Sequence, residues 1–168
     1  MRILLLNQCF YPDVAATGQY ATDLARALAL RGHEVTVLAA RRAYEGANGR
    51  FAAEERWQGV RILRVWHTGF GKGARWRRGA DFASFYAACA GRLLRMGRFE
   101  RVIAMTTPPL ISCLGAALVR LRGGRLCLWL MDLNPDQAIA AGWLREGSRA
   151  ARALERCLAW SLEAADAV

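Results

Sequence analysis

Residues 2–18 read Arg-Ile-Leu-Leu-Leu-Asn-Gln-Cys-Phe-Tyr-Pro-Asp-Val-Ala-Ala-Thr-Gly, and this stretch decides the fold. The apolar run at residues 3–6 stops at two amides, which is typical of a short buried strand that ends in a polar loop. Apolar residues then recur three and four apart up to Arg31, and Gly32 follows, which predicts a helix with Thr17 as its N-cap. A strand, a loop and a helix in this order predict the first half of a βαβ unit.

The same alternation continues through the remainder of the chain. Further strands are predicted at residues 35–39, 60–65, 101–105, 126–131 and 167–168. Helices are predicted to start at Asp81, at Pro108-Pro109 and at Ser148, and Gly97 and Gly123-Gly124 end the first two. The pattern predicts an α/β fold: a Rossmann-like three-layer sandwich with a mainly parallel sheet and helices on both faces. With 168 residues, the chain is expected to form a single domain over residues 1–168.

Composition narrows the class of protein. The chain is 54% apolar, which is too high for a disordered protein. Its five cysteines are odd in number and have no paired spacing, so they are expected to be buried thiols in a reducing, cytoplasmic setting. With only two histidines, no metal site is expected. No apolar stretch is long enough for an export signal or a membrane span.

Positive charge is concentrated in the middle of the chain. Residues 41–101 hold 14 Lys and Arg against 5 Asp and Glu, or +9 of the total +10. Such a region attracts anions, among them phosphate head groups, nucleic acid and phosphorylated substrates. A solvated arginine-rich surface is the alternative, since Arg outnumbers Lys 23 to 1.

Polar residues follow the predicted strands at their carboxyl ends, where open parallel sheets bind ligands. Hydroxyls, amides and acids are therefore expected to line one cleft. After the first strand come Asn7, Gln8, Asp13, Thr17 and Gly18; after the fourth, Thr106 and Thr107; after the fifth, Asp132, Asn134, Asp136 and Gln137.

The Thr17-Gly18 segment combines free backbone N–H groups at a helix start with a glycine, which suits a diphosphate. An ordinary capped helix start is the alternative interpretation. Neither the dinucleotide fingerprint GxGxxG nor the phosphate loop GxxxxGK[ST] follows the first strand, which argues against an NAD-type oxidoreductase and a P-loop ATPase.

Asp132 and Asp136 bracket a turn that could place carboxylates near the cleft, where they could accept a proton or hold hydroxyls. Asp and Asn are also common turn formers, so a purely structural role is the alternative.

A glycine-punctuated basic segment precedes the second predicted helix. Cations beside exposed aromatic rings suit a membrane interface. The alternative is a mobile basic loop before a helix that buries its aromatics in the core. The residues concerned are Lys72, Arg75, Trp76, Arg77 and Arg78.

The opening segment, together with Leu-Arg-Gly-His-Glu-Val-Thr-Val at residues 30–37, resembles the amino-terminal domain of family 4 glycosyltransferases with the GT-B fold. Thr-Pro-Pro-Leu at residues 107–110, Met-Asp-Leu-Asn-Pro-Asp at residues 131–136 and Ala-Ala-Asp-Ala-Val at residues 164–168 are similar to segments of the same family. The 131–136 turn resembles that of members that build surface polysaccharides.

The resemblance implies retaining transfer from a nucleotide-diphosphate sugar to a saccharide or lipid-linked acceptor, without a cofactor or an essential metal. Gly18, with Thr17, would approach the donor diphosphate, and Asp132 falls where many relatives place a histidine near the reacting sugar. Asp13, Thr107, Asn134 and Asp136 are expected to contact the acceptor.

In this family a second, carboxyl-terminal domain binds most of the nucleotide, and residues 1–168 do not include it. The chain alone is therefore expected to be inactive or nearly so, as a piece of a longer protein or half of a split enzyme. The expected location is the cytoplasm, at the inner face of the membrane where the acceptor is lipid-linked. No specific nucleic acid is expected, and a noncatalytic domain that binds anionic surfaces is the alternative function.

Overall fold

The computed structural model describes residues 1–43, 50–71 and 73–168. Their strands form a seven-stranded sheet in the order β3-β4-β2-β1-β5-β6-β7. Every neighbouring pair is parallel except β3 and β4. The strands are β1 (Arg2–Leu6), β2 (Glu34–Ala40), β3 (Glu54–Trp57), β4 (Val60–Val65), β5 (Arg101–Ala104), β6 (Arg125–Leu128) and β7 (Ala165–Ala167).

Helices cover both faces of this sheet, as predicted. Leu5 belongs to a core that contains Ala21 and Ala25 of α1, whereas Leu4 and Leu6 belong to a second core with α2 and α3. Successive leucines of one strand thus supply opposite faces, which explains the uninterrupted apolar run. The helices are α1 (Ala16–Leu30), α2 (Arg75–Leu93), α3 (Ser112–Arg122), α4 (Asp136–Ala140) and α5 (Arg149–Glu163).

Strand β3, an antiparallel edge strand, was not predicted from the sequence. Its sequence Glu-Glu-Arg-Trp has no apolar run, because an edge strand with exposed residues needs none. Its strand pair with β4 turns at Gln58 and Gly59, and both have positive φ, at 46° and 83°. These values match a two-residue type I′ hairpin turn, for which Gly59 was the available signal.

Two of the predicted helix starts, Thr17 and Asp81, lie inside their helices. Thr17 is the second residue of α1, and Ala15 occupies the cap position without a side-chain hydrogen bond. Asp81 lies inside α2, which begins at Arg75. Its carboxylate does not cap the helix but accepts hydrogen bonds from the Phe70 and Gly71 N–H groups in the loop before it. Ser148 does cap α5, since its hydroxyl accepts a hydrogen bond from the Ala151 N–H at 3.1 Å.

The structure also differs from the sequence-based predictions in smaller ways. Pro108 and Pro109 lie in a turn, and α3 starts only at Ser112. Strand β6 ends at Leu128, three residues earlier than predicted, and the short helix α4 was not predicted. Cys157 is exposed, contrary to the expectation of buried thiols. No helix in the described parts of the chain is both long and apolar enough to cross a membrane.

Candidate functional site

The carboxyl ends of β1, β5 and β6 lie side by side. Leu6 pairs with Ala104, and Ala104 pairs with Leu128. The loops beyond them are also bonded: the Gln8 N–H donates to the Thr107 carbonyl at 2.7 Å. The Trp129 N–H donates to the carbonyl of Ala104 at 2.9 Å. The loops that begin after these three strands therefore share one rim of the sheet, as the sequence predicted.

The first turn of α1 faces the loop that follows β5. The hydroxyl oxygens of Thr17 and Thr107 lie 3.2 Å apart, although the residues are 90 positions apart in sequence. A Cβ on Gly18 would stand 3.2 Å from the Cβ of Cys9, so the glycine lets the helix pack closely on the β1 loop. Ala15, at the cap position of α1, has no side-chain oxygen that could bond the N–H groups of the first turn.

Asp132 lies on the same rim, beyond β6. Its Oδ2 accepts a hydrogen bond from the Thr106 hydroxyl at 3.5 Å, and its Oδ1 accepts one from the Gln137 amide at 3.3 Å. Both bonds are long, so lone pairs of this partly exposed carboxylate remain open to a further donor. A shallow hollow beside it is lined by Thr106, Leu110, Asp132 and Asn134, among others.

Leu110 has φ of 65°, a left-handed conformation that a leucine rarely adopts. Strained residues of this kind concentrate at functional sites. Leu110 was not predicted from the sequence, because residue identity gives no sign of an unusual backbone angle. Gln137 was expected at this edge with the other polar residues that follow the fifth strand, but its contact with Asp132 was not predicted.

The predicted acceptor residues are only partly brought together. Asn134 lines the hollow with Asp132, and Thr107 faces Thr17. Asp13 is buried in the loop after β1, where its N–H donates to the Phe10 carbonyl at 3.0 Å. Asp136 is exposed at the first residue of α4 and does not line the hollow.

Two amide side chains directly after β1 are buried with an oxygen that has no hydrogen-bond partner within the described residues. They are Asn7, through Oδ1, and Gln8, through Oε1. An unsatisfied buried acceptor costs about 1–3 kcal/mol, and such atoms in folded proteins call for an explanation such as function. The signal in the sequence was two polar residues at the end of a buried strand.

The predicted membrane residues lie partly in a helix, which corrects the expectation of a basic loop: Arg75, Trp76, Arg77 and Arg78 form the first turn of α2. Lys72 lies outside the described residues, and the placement of the Arg75 side chain is not described. Trp76 is 65% exposed, and its ring centre lies 6.0 Å from that of the exposed Phe70.

Arginines accompany these exposed rings. The Arg77 guanidinium lies 5.4 Å from the Trp76 ring, and that of Arg78 lies 5.5 Å from Phe82 and 5.4 Å from Trp143. Phe85, by contrast, is fully buried, so the alternative of core aromatics holds for that residue. The aromatic–arginine patch is defined as Phe70, Trp76, Arg77, Arg78 and Trp143.

Within the described ranges, no three His, Cys, Asp or Glu side chains are grouped closely enough to hold a metal ion.

Comparison with known proteins gives one family match. A family model described as "Glycosyl transferase 4-like domain" matches residues 16–168. The curated proteins contain no match. Among solved structures, the sucrose-phosphate synthase of Thermosynechococcus elongatus is similar, with a TM-score of 0.67 at 15% sequence identity. The likeness covers 99% of this chain and 41% of that one, so it concerns the fold of part of that protein.

Proposed function

Because this chain belongs to the glycosyl transferase 4-like family, we propose that it is the amino-terminal, acceptor-side domain of a retaining glycosyltransferase of the GT-B fold. The observation that carries the proposal is the meeting of two features on one rim. These are the start of α1, where Thr17 faces Thr107, and the loop that carries Asp132.

The proposed donor is a nucleotide-diphosphate sugar, with its diphosphate at the first turn of α1. Free N–H groups and the positive end of the helix macrodipole favour an anion there. Thr17 adds a hydroxyl, and Gly18 keeps the helix start close to the β1 loop. No cofactor takes part in this proposal.

In the proposed transfer, the anomeric C–O bond to the diphosphate breaks and the acceptor hydroxyl oxygen forms the new bond to that carbon. The departing diphosphate oxygen takes the hydroxyl proton, and Asp132 orients the hydroxyl by accepting its hydrogen bond. Asp13, Thr107, Asn134 and Asp136 would contact the acceptor saccharide. The open lone pairs of Asp132 support this role, because catalytic hydrogen bonds often tighten only when substrate is bound.

The chain spans about two fifths of the length of the solved structure that it resembles. We therefore propose that a carboxyl-terminal domain, in the same protein or in a partner chain, supplies the nucleotide contacts and that residues 1–168 alone are inactive. The proposed reaction is hexosyl transfer in surface-polysaccharide assembly, on the cytoplasmic side of the membrane.

Sugar transfer by the intact protein tests the proposal. Nucleoside diphosphate release would be followed with a panel of nucleotide sugars and lipid-linked saccharides. Asp132→Asn should lower kcat by roughly 10²-fold, because loss of the negative charge weakens the hydrogen bond that positions the acceptor hydroxyl. Gly18→Val should also impair transfer, because the space beside Gly18 is filled by Cys9. Asp23→Asn, on the exposed surface of α1, is the matched control. Unchanged turnover in Asp132→Asn and Gly18→Val, with folding retained, would reject the site.

The aromatic–arginine patch supports a second candidate function, binding to an anionic membrane surface without catalysis. It can also coexist with transfer to a lipid-linked acceptor. Binding to phosphatidylglycerol vesicles should exceed binding to phosphatidylcholine vesicles and should weaken as salt rises. Trp76→Ala should reduce binding, whereas Tyr20→Ala, which removes an exposed ring from α1, should not. Equal binding to both kinds of vesicle would reject membrane contact through charge.

A further inference from the structure

Two side chains at the other end of the rim take no part in the proposed transfer. Arg42 lies two residues beyond β2, and His67 lies two residues beyond β4. Ala40 and Val65 are paired in the parallel register of these strands. Arg42 and His67 therefore leave adjacent strands at the same level.

The Arg42 guanidinium is held in place by the loop that follows β4. The side chain is half-buried, and its Nε is fully buried without a hydrogen bond. Within residues 1–43, 50–71 and 73–168, no carboxylate pairs with it. It lies against the backbone of Gly69, where a Cβ would overlap Nη1 and stand 2.6 Å from Cζ. Burying a cation without a partner is costly, so this arrangement favours an anionic ligand.

His67 offers hydrogen bonds beside this cation without adding charge. Its ring is buried edge-on against Phe85, with ring centres 6.0 Å apart, and Nδ1 has no hydrogen-bond partner within the described residues. Burial lowers the pKa of His67, and the Arg42 charge lowers it further, although Asp81 opposes them. The imidazole is therefore neutral at neutral pH, and the charge of the site comes from Arg42.

The nearby carboxylate of Asp81 is already occupied. Its Oδ1 accepts hydrogen bonds from the Thr68 hydroxyl at 2.7 Å and the Phe70 N–H at 3.0 Å. Its Oδ2 accepts one from the Gly71 N–H at 3.0 Å. Asp81 thus fixes the loop that carries Gly69, the residue that Arg42 contacts, and among the described residues it forms no ion pair with Arg42.

We propose that Arg42 and His67 form a phosphate-binding subsite for the acceptor, so that the acceptor is a phosphate- or diphosphate-linked saccharide. This inference rests on the proposed function. Strand β2 lies three strand spacings from β6, or about 14 Å, which leaves room for a sugar between this subsite and Asp132. Phe70 of the aromatic–arginine patch follows Gly69 directly, so the phosphate would lie between the patch and the sugar.

A nuclear magnetic resonance titration of the 168-residue chain tests the subsite, with inorganic pyrophosphate as one probe and geranyl diphosphate as the other. Saturable shifts are expected in the amide signals of residues 41–42 and 66–71. Arg42→Gln should weaken this binding about tenfold or more, as expected for loss of a charged hydrogen-bond donor. Gly69→Ala should do the same without a change in net charge, because it displaces the guanidinium.

Two controls match these variants. Arg26→Gln removes an exposed arginine from α1, and Gly79→Ala adds a methyl group where no atom lies within 4 Å. Both should bind pyrophosphate within twofold of the unaltered chain. Tighter binding of geranyl diphosphate than of pyrophosphate identifies a lipid-linked phosphate, and equal binding identifies a soluble one. Equal affinities in Arg42→Gln and Arg26→Gln overturn the subsite.

Sugar transfer by the intact protein separates the two proposals. With the subsite correct, Arg42→Gln should raise KM for a phosphate-linked saccharide and leave KM for the same saccharide without phosphate unchanged. Transfer that does not depend on Arg42 would overturn the subsite and leave the proposed function standing. Arg42-dependent phosphate binding without any sugar transfer would support the subsite and reject the function.

Discussion

Replacement of Asp81 by alanine should release residues 69–71 from α2 while the helix itself stays intact and Ser84 still holds Thr68. The carboxylate accepts three hydrogen bonds from this loop, from Thr68, Phe70 and Gly71. If Asp81 were the helix cap that its sequence position suggests, the same substitution would instead fray the start of α2.

The expected loss of stability follows from these three bonds. Hydrogen bonds to a charged group contribute about 1.5–3 kcal/mol each when well buried, but two of these three lie at exposed positions. Water replaces much of what is lost there, so we expect about 2 kcal/mol in total. For a chain of this length, that corresponds to a fall in Tm of about 4–8 °C. Asp81→Asn should lie between, because its amide keeps Oδ1 as an acceptor but turns an NH₂ towards the Gly71 N–H.

Chemical denaturation and amide hydrogen exchange together measure both effects. In Asp81→Ala, the amides of Phe70 and Gly71 should lose protection, whereas those at residues 79–83 of α2 should keep theirs. Asp23→Ala, at an exposed position of α1, is the control and should change neither quantity. Faster exchange through the first turns of α2 with an unchanged loop, or no loss of stability at all, would refute the reasoning.

Three further predictions concern backbone conformation, a buried hydrogen bond and pH. Gly124→Ala should destabilise the fold by about 1–3 kcal/mol, because its φ is 110° and a Cβ would overlap the backbone carbonyl oxygen of Phe99; unchanged denaturation would contradict this backbone conformation. Ser161→Ala should cost about 1–2 kcal/mol, because it breaks a buried 2.9 Å bond to Ser112. The double variant Ser112→Ala/Ser161→Ala should lose less stability than the two single variants added together. A loss equal to that sum would contradict the bond. Because the pKa of His67 is lowered in the folded state, the His67 imidazole of the unfolded chain takes up a proton more readily than that of the folded chain below pH 6.5. The free energy of unfolding should therefore fall as pH drops below 6.5, and His67→Gln should remove that component of a denaturation series.

The sheet could be predicted because its strands are buried on both faces. Leu4, Leu5 and Leu6 enter two different cores, so the strand reads as a continuous apolar run. A parallel sheet then places all carboxyl ends on one edge, which predicts a shared rim without knowledge of any single contact. Edge strand β3 lacks this signal because its residues are polar and partly exposed.

Contacts between distant residues could not be predicted in the same way. Aspartate is a common helix cap, which is why the sequence predicted that role for Asp81. Only the folded chain places its carboxylate against the N–H groups of Phe70 and Gly71. Nothing in the sequence distinguishes Arg42 from the other arginines. Its position depends on a contact with Gly69, which lies 27 residues further along the chain. The preference of a residue for a helix, strand or turn depends on the residue itself. The roles of Asp81 and Arg42 depend instead on the residues that tertiary packing places beside them.

The central claim is that sugar transfer takes place on the rim formed by the loops after β1, β5 and β6. A crystal structure of the intact protein with a nucleoside diphosphate and an acceptor saccharide tests it most directly. We predict diphosphate density at the first turn of α1 and an acceptor hydroxyl within hydrogen-bonding distance of the Asp132 carboxylate. An acceptor bound at the opposite edge of the sheet, with the rim beside Asp132 empty, would contradict the account.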